Sequence, residues 1–167
     1  MWGDRQPPDP VGPGQESVWG YPRPPRVEPT QRLLRVTFGG AVVAETTRGL
    51  RVLETASPPT IYFPPDDVRT DLLHPSGHQT VCEWKGIAEH FDLTVSGRTS
   101  ERAAWSYAQP QAGYEQIAGY IAFYPARVDE VTVDGELVRA QAGGYYGGWI
   151  TNEVVGPFKG DPGTQGW

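Results

Sequence analysis

The sequence predicts a mainly β fold: a compact antiparallel β domain with one or two short helices. Three observations predict it. Apolar and polar residues alternate through the middle of the chain, dipeptides suited to tight hairpins separate the alternating runs, and a helical period shows over two brief stretches only.

Taken in order, residues 1–31 carry eight prolines, in runs such as PPDP and YPRPP, and predict an extended arm because proline fixes φ and removes a donor. Val18, Trp19 and Tyr21 are too apolar for a solvated arm, so they are expected to lie against the domain or a partner subunit. From Arg32 the alternation begins. Leu34, Val36 and Phe38 share one strand face, Gly39-Gly40 is a hairpin signal, and Ala41–Thr46 returns as the partner strand. Leu50–Thr55 and Thr60–Phe63 read as two further strands. Pro64-Pro65-Asp66-Asp67 then suits a helix start, with Val68 and Leu72 four apart, which predicts a short helix over 65–73 ended by His74-Pro75.

Gln79–Lys85 and Ala88–Val95 read as strands, and 98–112 as a loop, since neither period holds there. Tyr114, Ile117 and Ile121 fit a helix of one or two turns that passes into a strand over Tyr120–Tyr124. Asp134-Gly135 is the strongest hairpin signal of the chain, between Glu130–Val133 and Glu136–Arg139. The body of the domain thus spans about 32–142. Residues 143–167 hold eight glycines interleaved with Tyr145, Tyr146, Trp149, Ile150, Val154, Val155 and Phe158. Glycine lets backbone pass close to another surface while the aromatics supply area to bury, so this extension is expected to pack on the domain.

A chain of 167 residues is long enough for one well-buried core. Its net charge of −6 offers no field for nucleic acid or an anionic membrane. A single cysteine excludes an internal disulfide and a multi-cysteine zinc site. No apolar run approaches membrane-spanning length and no basic-then-apolar leader opens the chain, so a cytoplasmic protein is expected.

The reactive side chains are concentrated in LHPSGHQTVCEWKGIAEHFD, residues 73–92, which hold Cys82, one of only two lysines (Lys85) and all three histidines (His74, His78, His90). Cys82 is the candidate nucleophile, with Lys85, His78 and His90 available to favour its thiolate. On a regular strand Thr80, Cys82 and Trp84 would share one face and Val81, Glu83 and Lys85 the other. Cys82 and Lys85 can therefore meet only if the strand ends by Trp84, which Gly86 permits. A small buried side chain is the plainer role for a free cysteine. Lys85 and Lys159 both stand in an aromatic-Lys-Gly pattern, which suits a lysine that binds an anion or carboxylate; an ammonium that reaches solvent is the plainer role. His74 and His78 are four apart, but Pro75 and Gly77 forbid the helix a two-histidine metal site would need, so no metal and no cofactor is expected. Trp84, Trp105 and Tyr107 are candidates for the aromatic wall of a pocket.

RVTFGGAVVAETT (35–47), VLET (52–55), IYFPPDDVRTDLL (61–73), TVCEWKG (80–86), AAWSYAQP (103–110) and IAGYIAFYPARVD (117–129) together resemble the bacterial family called domain of unknown function 427, over roughly 32–139. The stretches VWGYPRPPR and GGYYGGWIT…VGPFKG resemble the terminal extensions of longer actinobacterial members. The resemblance implies a mostly antiparallel β domain, and the architecture is similar to the β-tent, which includes zinc-binding and aromatic-cage domains. The paired cysteines of the zinc members are missing here. A nucleotidyltransferase-like label borne by the family finds no support in these residues: there is no Gly-rich phosphate loop opening a helix and no separated acidic metal pair.

The sequence therefore favours a small-molecule-binding β domain with a pocket near Cys82–Lys85, contacted by Trp84, Lys85, Trp105, Tyr107 and His78. Two alternatives stand beside it: an enzyme using Cys82 as nucleophile or Lys85 as an electrostatic or Schiff-base group, and a scaffold whose aromatic ends mediate assembly as a homodimer.

Overall fold

The structure, a computed structural model, describes residues 7–142 and 146–161. Tyr145 lies outside the described residues. In chain order the first strands are β1 (Glu16–Ser17), β2 (Arg26–Thr30), β3 (Leu34–Phe38), β4 (Ala41–Thr46), β5 (Gly49–Leu53) and β6 (Thr60–Tyr62). The long strands follow: β7 (Leu73–Cys82), β8 (Gly86–Val95) and β9 (Arg98–Ser106). Short ones close the chain: β10 (Ile121–Phe123), β11 (Glu130–Val133), β12 (Glu136–Leu137), β13 (Arg139–Ala140), β14 (Trp149–Ile150) and β15 (Val154–Val155). The helical content of the described residues is single 3-10 turns. None of them is long and apolar enough to cross a membrane.

Two four-stranded antiparallel sheets, ordered β12-β11-β3-β4 and β10-β9-β8-β7, enclose the main core. The alternation of β3 explains its place: Leu34, Val36 and Phe38 are buried with Val43, Val131 and Phe123, while Arg35 faces solvent and pairs with Glu45 across the strand at 2.5 Å. A third sheet, β2-β5-β6, lies against β8 and β9 over a second cluster built on Val52, Tyr62, Ala88, Trp105 and Tyr107. β9 runs between the two clusters, which is why Ala103 to Ser106 are buried on both faces.

The two ends of the described chain meet. β1 pairs with β15 in parallel, and Val18 and Tyr21 pack with Leu53 and Val154 in a third cluster. Tyr21 donates to Glu16 at 2.6 Å, and Arg51 of β5 also bonds that carboxylate. Burial alone would raise the Glu16 carboxyl, but these bonds more than offset it and hold it below its ordinary value. Trp149 is 2% exposed, its ring 5.8 Å from Phe63 and its indole donating to the Phe123 carbonyl at 3.3 Å.

The structure differs from the sequence-based expectation in several places. Residues 65–73 form two 3-10 turns, Pro65–Asp67 and Thr70–Leu72, in place of one helix. Between them Val68 is extended and bridges to Ala44, and Arg69 donates to the Val43 carbonyl, so pairing with β4 displaces the helical bonds. His74-Pro75 does not end an element. Pro75 sits in β7, an edge strand, beside a bulge before Gln79, where a missing donor is tolerated. The segment 98–112 is not all loop, because β9 occupies its first nine residues. A bulge opposite Phe91–Leu93 hides the alternation: Arg102 takes φ 51° and its amide donates to Asp92 at 2.9 Å.

Candidate functional site

The β7–β8 hairpin closes with Cys82 opposite Gly86, leaving Glu83, Trp84 and Lys85 as a three-residue tip. The strand expected to reach Lys85 therefore ends at Cys82. Gly86 makes this possible: its φ of +105° is one that side chains rarely adopt. Gln111 donates its amide to the Lys85 carbonyl at 2.9 Å and fixes the tip. The turn removes the strand's alternation, so Cys82, Trp84 and Lys85 all line one cavity of about 410 Å³.

The opposite wall of this cavity comes from β5 and β6, through Val52 and Thr60, and from the loop Glu54–Pro58. Its roof is the chain after β13, with Gln141, Tyr146, Gly147 and Lys159. Gly147 is required by close approach: a Cβ at that position would collide with the Trp105 indole. The backbone of Lys159 is held from both sides, its amide donating to Ala56 at 2.7 Å and its carbonyl accepting from Gln141 at 2.6 Å.

Beside the cavity lies a second recess, the chamber, of about 160 Å³, which shares Thr60, Lys85 and Gly147 with it. Tyr62, Thr80, His90, Trp105, Tyr107 and Tyr124 complete the chamber. Trp105 donates to the Tyr62 hydroxyl at 3.3 Å and packs against Tyr124 with ring centroids 4.4 Å apart. The Lys85 ammonium sits 5.9 Å from the centre of the Tyr107 ring. Among the described residues no carboxylate lines this chamber.

Burial pushes the phenols of Tyr62, Tyr107 and Tyr124 above the ordinary tyrosine value. Cys82 and Tyr124 raise Tyr107 further, and Arg127 partly opposes the rise at Tyr124. All three remain protonated at neutral pH. His90 moves down, first through burial and then through repulsion from His78, Arg127 and Arg102, which makes it a neutral imidazole. It is 3% exposed, its Nε2 lies 2.9 Å from the Thr80 hydroxyl, and its buried Nδ1 has no partner among the described residues.

Five of the six candidates read from the sequence thus meet around the cavity and chamber: Cys82, Trp84, Lys85, Trp105 and Tyr107. His78 is placed differently. It lies outside the lining, with its ring 5.1 Å from that of His90, and supports the histidine that does line the chamber. It sits in the bulge of β7 between Pro75 and Gln79, where Gly77 has φ +79° and the Ser76 hydroxyl donates to the His90 carbonyl at 2.9 Å. His90, Tyr62, Thr60, Tyr124 and Gln141 were not distinguished by the sequence from ordinary core or surface residues. Lys159 did carry a signal, the aromatic-Lys-Gly pattern it shares with Lys85. Among the described residues no three His, Cys, Asp or Glu side chains converge to hold a metal ion.

Fold and cavity together define an antiparallel β domain with a lysine-bearing, hydroxyl-rich and aromatic-walled recess where two sheets meet. The chain belongs to the family described as Domain of unknown function (DUF427), whose profile matches residues 26–134. Comparison with curated proteins gives no match. The matched span contains the hairpin tip and every residue of the chamber lining but Gly147. Gln141, Tyr146, Gly147 and Lys159 lie beyond it.

Proposed function

We propose that this chain binds a small anionic molecule in the recess at the Cys82–Lys85 tip. Lys85 supplies the charge, Tyr62, Tyr107 and Thr60 supply hydroxyl donors, and Trp84 and Trp105 supply apolar walls. One observation carries the reading. All ten ion pairs among the described residues use arginine, whereas among those residues no carboxylate lies within ion-pairing distance of Lys85 and no acid lines the chamber it borders. A half-buried lysine without a carboxylate partner leaves its charge for an entering anion to meet. The recess is also of the size that takes small ligands, which runs from about 300 to 1,000 Å³.

Lys85→Met keeps most of the stem and removes the charge. In thermal-shift titrations against small carboxylates and phosphates, the native chain should gain about 2.7 kcal/mol of stability at a hundredfold excess over Kd. The variant should fold with nearly the native melting temperature and lose that response. A sharp fall in melting temperature with no anion response in either protein would make the lysine structural and refute the reading.

The enzymatic reading keeps one supporting observation: Cys82 and Lys85 line the same cavity. It requires a thiolate. Stoichiometric labelling of native Cys82 by a thiol reagent within seconds at neutral pH favours it, and slow labelling favours binding alone.

A further inference from the structure

We infer that the recess takes a ligand with two anionic groups, one on Lys85 at the chamber and the other on Lys159 of the C-terminal extension. The inference rests on the anion-binding reading above and names the class of ligand.

The two lysines of the chain lie far apart in sequence, yet both border the larger cavity. Their settings match. The Lys85 ammonium lies 5.9 Å from the centre of the Tyr107 ring, and that of Lys159 lies 5.7 Å from the centre of the Tyr146 ring. Each stem is thus steered by an aromatic face at cation–π range. Among the described residues neither ammonium has a carboxylate within ion-pairing distance and arginine takes every ion pair, in a chain of net charge −6. Two acids border the larger cavity. Glu54 is engaged by Arg23 at 3.3 Å, and Glu83 is exposed on the hairpin tip. Two like charges bordering one cavity are a fit for a ligand that brings opposite charge to each.

Lys159 is not there by the drift of a loose tail. Its backbone is pinned by Ala56 and Gln141, the preceding Phe158 packs on the cluster of Val18 and Leu53, and the Phe158 amide donates to Asp161 at 2.9 Å. The family profile ends at residue 134, so the matched domain brings Lys85 and the extension brings the second cation. A ligand with a single anionic group would be satisfied by Lys85 and the chamber hydroxyls alone. Pyrophosphate and short dicarboxylates share the chemistry that uses both lysines.

Calorimetric titration at constant ionic strength tests this with inorganic phosphate, pyrophosphate, acetate and succinate. Within the phosphate or the carboxylate pair, whichever the recess prefers, the two-group anion should bind the native chain at least tenfold tighter than the one-group anion. Lys159→Met should cancel that advantage and leave the one-group anion unchanged. Lys159→Arg should restore it, which separates charge from packing, and Lys85→Met should weaken all four. If Lys159→Met leaves the two-group advantage intact while Lys85→Met abolishes binding, the two-cation inference falls and single-anion binding stands. If no anion binds the native chain, both fall.

Discussion

Replacing Trp149 with alanine tests whether the segment beyond the family profile belongs to the core. The side chain is 2% exposed, touches Phe63, and donates its indole N–H to the Phe123 carbonyl. Truncating a buried aromatic to alanine costs about 3–5 kcal/mol through lost transfer energy and the cavity left behind. The orphaned Phe123 carbonyl adds a desolvation penalty of about 1–3 kcal/mol unless water reaches it. Against a total stability of about 5–15 kcal/mol, that is a large fraction of what keeps the chain folded. For a chain of this length, a loss of 3–5 kcal/mol lowers Tm by roughly 6–20 °C. Leu137→Ser is the control, since Leu137 is 60% exposed and its loss should be nearly neutral. Urea unfolding followed by far-UV circular dichroism gives both values. If Trp149→Ala costs less than about 1 kcal/mol, the extension does not belong to the core and the placement of Lys159 above the recess loses its support.

Two further outcomes are expected. Because His90 is held neutral below its ordinary value of about 6.5, the unfolded chain binds its proton first as pH falls. This contribution is complete above the ordinary value and shrinks below it, by up to about 1.4 kcal/mol per pH unit until the folded-state value is reached. His90→Gln should flatten that part of the urea-midpoint profile between pH 7.5 and 5.5, and an unchanged slope would place the proton elsewhere. In limited proteolysis the segments around 18–26 and 146–159 should resist cleavage, since they are tied together by β1–β15 pairing and by the bonds of Trp19 and Lys159. Trimming to about 32–140 without a change in melting temperature would contradict this.

Much of the sheet was legible locally. The alternation of Leu34, Val36 and Phe38 and the Asp134-Gly135 turn specify β3 and the β11–β12 hairpin, because strand period and turn chemistry are properties of neighbouring residues. The clustering of Cys82, Trp84 and Lys85 was equally visible. What the sequence left open depended on partners distant in the chain. The bulge facing Asp92 conceals β9, and pairing of Val68 with Ala44 decides against a helix that local spacing favoured. His90 becomes a chamber residue only through its register with Trp105, and Lys159 only because the extension passes over the Trp105 indole at Gly147. Local sequence determined which residues could carry charge and which could form strands. The tertiary structure decided which of them share a cavity, because long-range register and close backbone approach bring them together.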